Sequence, residues 1–332
     1  MQRLLKLIYG TAILLPISLA FGINSDVQNL SIAVKSNNSK QVRALIEQGV
    51  DVNLRDANGV LPLTYATSAE NSNFEIIQSL IKAGANPNGT DFEGKTALMY
   101  AVSNERTTAK VLNLIINAGA NVNTQDNMGR TALMHAYSKE QCAALMIAHA
   151  NMRLQDKAGF TLLSYHWDNK QDGKPPIAEW FIDQGLTATP NDMLYESVRD
   201  FDIPLLKQAV AAKANVNVLL ADSMVTPILL ASNSFLKSDN DHNNPEMINL
   251  LVAAGAHING IDEEGKNSLA LLLDDKPSKF PSQKLIPIIE LLVKSKIEIN
   301  QTDHAGHTIL TIARNQKHSP EIIDLLIKNG AR

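Results

Sequence analysis

The sequence predicts an all-α solenoid of about nine helix-turn-helix units. Three observations predict it: a self-similarity with a period of about 35 residues, a polar turn signature that recurs with that period, and pairs of apolar residues at helical spacing. With 45% apolar and 19% charged residues in 332, the chain has the composition of a folded protein. Its length alone would suggest about two compact domains, but a period this short indicates stacked repeats instead.

The first recurring element is an apolar run that ends in Gly-Ala-x-x-Asn. Clear copies end at Asn53, Asn88, Asn123 and Asn259. The preceding residues place apolar side chains at i, i+1, i+4 and i+5, which predicts a helix buried along one side. The Gly comes just past this helix, where a left-handed cap is needed. This element is therefore the second helix of each unit.

The second recurring element is the turn signature Asp-x-x-Gly-x-Thr/Asn-x-Leu. Its copies begin at Asp91, Asp126, Asp156, Asp262 and Asp303, and a sixth at Asp56 has Leu61 in the Thr/Asn position. The Asp side chain can accept from backbone amides of the turn, the Gly supplies a positive φ, and the Thr or Asn caps the next helix. The signature therefore starts the first helix of each unit.

The regularity is weakest in the middle and late parts of the chain. The unit near 186–222 lacks the turn signature. Two later units carry long insertions between their helices, near 233–245 and 273–284. These insertions are either tolerated surface loops or a joint contact for a partner.

The first 20 residues have the layout of a secretory signal peptide. Arg3 and Lys6 precede an apolar stretch that ends in small residues at Ser18 and Ala20. The apolar residues 7–23 also reach the lower limit for a membrane-spanning helix, so an uncleaved anchor is the alternative. Cleavage after Ala20 would leave an array over residues 21–332 and would take the formal net charge from −4 to −6.

The two recurring elements resemble those of the ankyrin repeat family over roughly residues 25 to 332. The resemblance implies short β-hairpin turns, a concave groove, and binding of a protein partner without catalysis. The chain departs from the family pattern where the first helix usually carries His, because Thr64, Met99, Met134 and Ser164 stand there. The hydrogen bond that this His makes to a neighbouring loop is therefore in doubt.

In proteins that resemble this one, partners contact the turn tips and the exposed end of the first helix. Mapped by motif position, the predicted partner-binding residues are Asn58, Phe92, Glu93, Lys95, Asn127, Met128, Arg130, Lys157 and Phe160 at the turns, with Ser103, Asn104, Ser138, Lys139, Asp168 and Asn169 at the helix ends. Phe92, Met128 and Phe160 are apolar at positions expected to be exposed, so they are either interface anchors or pack sideways on the next turn.

The remaining residues give little sign of other chemistry. The sequence has no nucleophile elbow, phosphate-binding glycine loop or His-Glu-x-x-His motif. Its single cysteine, Cys142, is expected to be a buried helical thiol, and the pair His304 and His307 to be exposed turn residues. We therefore expect no catalytic site, no metal, no cofactor and no nucleic-acid partner, and a monomer.

Two biological roles fit an exported repeat protein of this kind. Bacterial relatives with signal peptides include some that look like immunity factors neutralising an exported toxin, and others similar to periplasmic factors linked to catalase and peroxide resistance. In a Gram-negative bacterium the exported chain would be periplasmic. A membrane-anchored scaffold and an enzyme are the less favoured alternatives.

The leader yields the first testable prediction. Expressed in a host that exports it, the purified protein should begin near Phe21, which amino-terminal sequencing or intact-mass measurement would show. A purified protein that still carries Arg3 and Lys6 and partitions with membranes would favour the anchor instead.

Overall fold

A computed structural model describes residues 25–68, 73–166, 177–220, 225–233, 244–274 and 282–332. The chain divides into two compact units, residues 1–152 and 153–332. The leader, Asp168, Asn169 and most of both insertions lie outside the described residues. Within them the structure contains eighteen α-helices and no strand, so the predicted all-α class and the predicted number of about nine helix pairs are confirmed.

The described residues of the first unit contain four helix pairs. They are α1 (Ser25–Lys35) with α2 (Ser39–Glu47), α3 (Pro62–Ser68) with α4 (Phe74–Lys82), α5 (Ala97–Ser103) with α6 (Ala109–Asn117), and α7 (Ala132–His135) with α8 (Lys139–Ile147). The first helices of successive pairs pack side by side, and so do the second helices. The two layers bury the apolar columns that the period predicted, including Val42, Ile77 and Leu112.

The second unit contains five helix pairs in its described residues. They are α9 (Leu162–His166) with α10 (Ile177–Asp183), α11 (Pro190–Asp200) with α12 (Ile203–Ala211), α13 (Pro227–Ser232) with α14 (Asn244–Ala253), α15 (Ser268–Asp274) with α16 (Ser282–Lys294), and α17 (Ile309–Asn315) with α18 (Pro320–Lys328). Even the longest of the described helices, α16 with 13 residues, is too short to cross a bilayer, and none of the others is long and apolar enough to do so.

Each turn signature folds around its Asp carboxylate. In the third pair, Asp91 Oδ1 accepts from the backbone amides of Glu93 and Lys95, both at 2.9 Å. The Asp91 amide donates to the Lys95 carbonyl at 3.0 Å. An isolated antiparallel bridge between Thr90 and Thr96 closes the turn. The predicted hairpin turns are thus present, and four of them contain one such bridge.

The second oxygen of the same carboxylate ties the turn to the first helix. In four of the six turns a side chain nine positions after the Asp bonds this oxygen, one position beyond the place where the family carries His. Three tyrosine hydroxyls do this, at 2.8, 2.6 and 2.6 Å: Tyr65 to Asp56, Tyr100 to Asp91 and Tyr165 to Asp156. His135 contacts Asp126 in the same way at 3.1 Å. The family's turn-to-helix bond is therefore replaced, not lost.

Consecutive repeats are joined by the asparagines that end them. Asn53 Nδ2 donates to the Gly84 carbonyl at 2.9 Å, and Asn53 Oδ1 accepts from the Asn86 amide at 2.7 Å. The same pair of bonds to the next repeat recurs at Asn88, Asn123, Asn217, Asn259 and Asn300. Because each carboxamide bonds both a carbonyl and an amide, it fixes the spacing and the orientation of the following helix end.

The second helices end in a left-handed residue, as the Gly endings predicted. Gly84 has φ +87° and accommodates it at low cost. Three other second helices end in the same conformation at a residue that is not glycine, with φ of +63° at His149, +64° at Lys213 and +67° at Lys296. The left-handed conformation of each of these three residues lowers the stability of the fold by the order of 1 kcal/mol, because each has a Cβ.

The irregular unit near 186–222 replaces the turn signature with a buried carboxylate. Asp192, in the first turn of α11, is buried and accepts from the amide and hydroxyl of Thr161, at 3.0 and 2.9 Å, and from the hydroxyl of Ser164 at 2.6 Å. Thr189, the N-cap of α11, donates to it as well. The carboxylate therefore holds α11 against the start of α9 without a hairpin turn.

The asparagine bonds can be tested at Asn88. We expect Asn88→Ala to lower the free energy of unfolding by roughly 1–2 kcal/mol, because it leaves a carbonyl and an amide of the next unit without their partner. Urea denaturation would measure it. Asn113→Ala, at an exposed position on α6, is the matched control and should change stability by less than about 0.5 kcal/mol. Equal losses of unfolding free energy in both variants would contradict a role of the Asn88 bonds in stability.

Candidate functional site

The turn tips of the first unit form a continuous surface. It comprises the turns 56–60, 91–95 and 126–130, and we call it the tip surface. The turns 91–95 and 126–130 are bonded to each other, since the Asn127 amide donates to the Glu93 carbonyl at 2.8 Å and Asn127 Nδ2 to the Phe92 carbonyl at 2.7 Å. These two tips are therefore held as a rigid row, and the turn 56–60 meets them through the ring of Phe92.

Two apolar side chains stand on the tip surface. Phe92 is 75% exposed and Met128 is 43% exposed. The ring of Phe92 lies on the preceding turn, where a Cβ placed on Gly59 would come within 2.0 Å of it. Gly59 is thus required twice, for its φ of +72° and for the room it leaves. Phe92 packs sideways along one edge and still presents most of its surface to solvent.

Phe160 does not belong to any such surface, contrary to the sequence-based expectation. It is 0% exposed and lies in the core of the second unit. Its ring contacts that of Tyr195 edge to face, with centroids 6.2 Å apart. Tyr195 is on α11 of the irregular unit, whose missing turn lets this helix cover the Phe160 ring.

The polar residues predicted to bind a partner divide into exposed and structural ones. The exposed ones are Asn58, Glu93, Ser103, Asn127, Lys139 and Lys157. Lys95 pairs with Glu93, and Arg130 is partly buried with its Nε 2.9 Å from Asp126 Oδ2. Ser138 caps α8 by accepting from the Gln141 amide, and the Asn104 carbonyl accepts from Gln141 Nε2. Arg130, Ser138 and Asn104 therefore hold the fold.

Sequence reasoning missed a cleft in the second unit. It has a volume of roughly 510 Å³ and lies between the turns 262–266 and 303–307 and the ends of α15 and α17. Lys266 Nζ crosses it, 2.6 Å from both Glu264 and Asp274, and Gln316 donates to Asp274 at 3.0 Å. His307 lies 3.0 Å from Asp303. These carboxylates are thus occupied by side chains of the unit itself.

Glu196 is a second residue that sequence reasoning missed. It lies seven residues after the N-cap of α11. Ser103, a predicted partner-binding residue at the end of a first helix, lies equally far after the N-cap of α5. It is half-buried, and this burial raises the pKa of its carboxyl to about 7, with the carboxylate of Asp200 adding to the shift. The second unit therefore holds a carboxyl that changes charge near neutral pH.

The described residues offer little to support catalysis. Cys142 is buried, and burial raises the pKa of its thiol to about 12, so the reactive thiolate is not populated at neutral pH. Within the described ranges no group of three or more His, Cys, Asp or Glu side chains is placed to hold a metal ion.

Stacked helix pairs joined through polar turns define a helical repeat protein whose exposed turns are available for binding. A family model described as ankyrin repeats, in three copies, matches residues 30–126. The same turn bonds and asparagine bonds continue beyond that range, so the repeat architecture extends past the matched residues. Ankyrin repeats are protein-protein interaction modules, and proteins of this family are typically not enzymes. No curated protein matches the chain.

The raised pKa of Glu196 predicts a pH-dependent stability difference. Its carboxyl ionises near 4.5 when unfolded and near 7 when folded, so the folded state loses stability as pH rises through this window. We expect Glu196→Gln to be more stable than the wild type by roughly 1 kcal/mol above pH 7, and equally stable below about pH 4.5.

Urea denaturation at both pH values would measure this difference. Glu179→Gln, at an exposed position in the same unit, is the control and should show no such change. A Glu196→Gln effect of the same size at both pH values would contradict the assignment.

Proposed function

We propose that the protein is a non-enzymatic binding protein that captures a partner protein on the tip surface of its first unit. The observation that carries the proposal is Phe92, a phenylalanine held on a rigid row of turns with 75% of its surface exposed. An exposed aromatic side chain costs solubility, and aromatic anchors dominate the energy of protein interfaces.

The surroundings of Phe92 support the same proposal. Met128 is 43% exposed and stands on the next turn, which a hydrogen bond from Asn127 joins to the turn of Phe92. The exposed polar side chains of Glu93 and Asn127 adjoin the two apolar ones in the same turns. An apolar centre with a polar rim is the usual composition of a protein interface.

The rigidity of the row adds to its suitability. Each tip is fixed by its Asp carboxylate, and hydrogen bonds also join the turns 91–95 and 126–130. A surface that is ordered before binding loses little conformational entropy when the partner arrives. We propose that binding takes place outside the cytoplasm, and this part rests on the leader-like residues 1–20 alone.

A partner-capture experiment tests the tip surface. The mature chain would be used as bait in an extract of the extracytoplasmic compartment of its source, beside the double variant Phe92→Ala with Met128→Ala. The double variant should recover the dominant partner at least about tenfold less well, because loss of interface anchors costs 1 to several kcal/mol. Thermal unfolding of both baits would show that the variant remains folded.

Ile147→Ala provides a matched control in the same unit. Ile147 is apolar and 81% exposed, but it lies at the end of α8 and not on a turn tip. It should recover the partner as well as the wild type does. Undiminished recovery by the tip variant, or loss of recovery only in Ile147→Ala, would overturn the assignment.

A further inference from the structure

We propose that Asn58 is a site of spontaneous deamidation in the folded protein, and that it reacts ahead of the other Asn-Gly pairs. The chain has four such pairs, at Asn58, Asn88, Asn259 and Asn329. All four side chains are exposed, so exposure alone does not distinguish them. Their hydrogen bonds do.

The reaction needs only the chain and water. The backbone nitrogen of the following glycine attacks the Asn Cγ, forms a C–N bond and expels the side-chain nitrogen as ammonia, giving a five-membered succinimide. Water then opens the ring at one of its two carbonyls, which leaves either Asp or isoaspartate. Glycine favours the attack because it has no side chain to crowd the nitrogen. In the first step the carboxamide must turn toward that nitrogen, so bonds that hold the carboxamide oppose it.

Three of the four carboxamides are held. Asn88 Nδ2 donates to the Gly119 carbonyl at 2.9 Å, and its Oδ1 accepts from the Asn121 amide at 2.7 Å. Asn259 makes the corresponding bonds to Lys296 and Glu298. Asn329 Nδ2 donates to the Leu325 carbonyl at 2.7 Å. Reaction at any of these requires at least one bond to break first.

Asn58 is held far less firmly. The contact of its Nδ2 is to the Tyr65 hydroxyl at 3.5 Å, the outer limit for a hydrogen bond. The attacking glycine amide is hydrogen-bonded in every pair, at 2.9 Å for Gly59 and Gly330, 3.3 Å for Gly89 and 3.4 Å for Gly260, so one backbone bond must break at each site. The carboxamide bonds are thus what orders the four sites.

The product would alter the tip surface. Asp56 Oδ1 accepts from the amides of Asn58 and Val60, and isoaspartate at 58 would insert one extra backbone carbon between these two donors. The ring of Phe92 lies on Gly59, so the change would also disturb the support of that ring. Either product adds a negative charge two residues from the buried Asp56 carboxylate.

Incubation of the full chain in mildly alkaline buffer, followed by peptide mapping with mass spectrometry, tests the proposal. Asn58 should convert first, and roughly five- to thirty-fold faster than Asn88, Asn259 or Asn329, because breaking one or two hydrogen bonds costs about 1–2 kcal/mol. Equal or faster conversion at any of those three sites would overturn it.

The same incubation in concentrated guanidinium separates structure from local sequence. Without the folded bonds all four sites should convert at comparable rates. If Asn58 kept its lead in the unfolded chain, local sequence would account for the order and the proposal would fail. Asn58→Gln, which leaves the turn backbone intact, should remove the fast-reacting peptide and leave the slow sites unchanged.

Discussion

The structure depends on one side-chain interaction, the double hydrogen bond by which an asparagine of one repeat bonds a carbonyl and an amide of the next. Asn53 shows it with Gly84 and Asn86. A single helix pair is too small to bury both of its faces, so its stability comes from its neighbours. The asparagine bonds fix where the next pair lies, and the apolar columns through Ile77 and Leu112 can then pack without gaps. A polar contact at the surface thus determines the geometry of the apolar interior.

Within each repeat, the turn Asp carboxylate holds the turn in shape. At Asp126, burial alone would raise the pKa of the carboxyl, but bonds from His135 and Arg130 lower it to about 2. The buried carboxylates of Asp56 and Asp126 are tolerated because their turns and first helices supply donors to both oxygens. This requirement uses up charged side chains that would otherwise be available to a partner. Arg130 is an example, because its Nε is paired with Asp126 within its own turn.

The repeats were predictable from sequence because their elements are local. Asp, Gly and Thr at fixed spacing specify a turn and a cap, whichever residues surround them. The burial of Phe160 was not predictable in this way, because it depends on Tyr195 in a unit whose turn signature is missing. The cleft around Lys266 needs two adjacent turns in register, and the pKa of Glu196 needs its neighbours in space. The tyrosines at 65, 100 and 165 did leave a signal, since each stands nine positions after a turn Asp.

The separation of folding positions from variable ones explains why binding would concentrate at the tips. In the signature Asp-x-x-Gly, the Asp and the Gly are fixed by hydrogen bonds and by a positive φ, whereas the two residues between them contribute backbone bonds that any side chain permits. Phe92 and Met128 occupy these positions, so a binding surface can change there without loss of the turn. Asn58 occupies one as well. The same lack of structural bonds that leaves a tip residue open to a partner leaves the Asn58 carboxamide open to attack by the next amide.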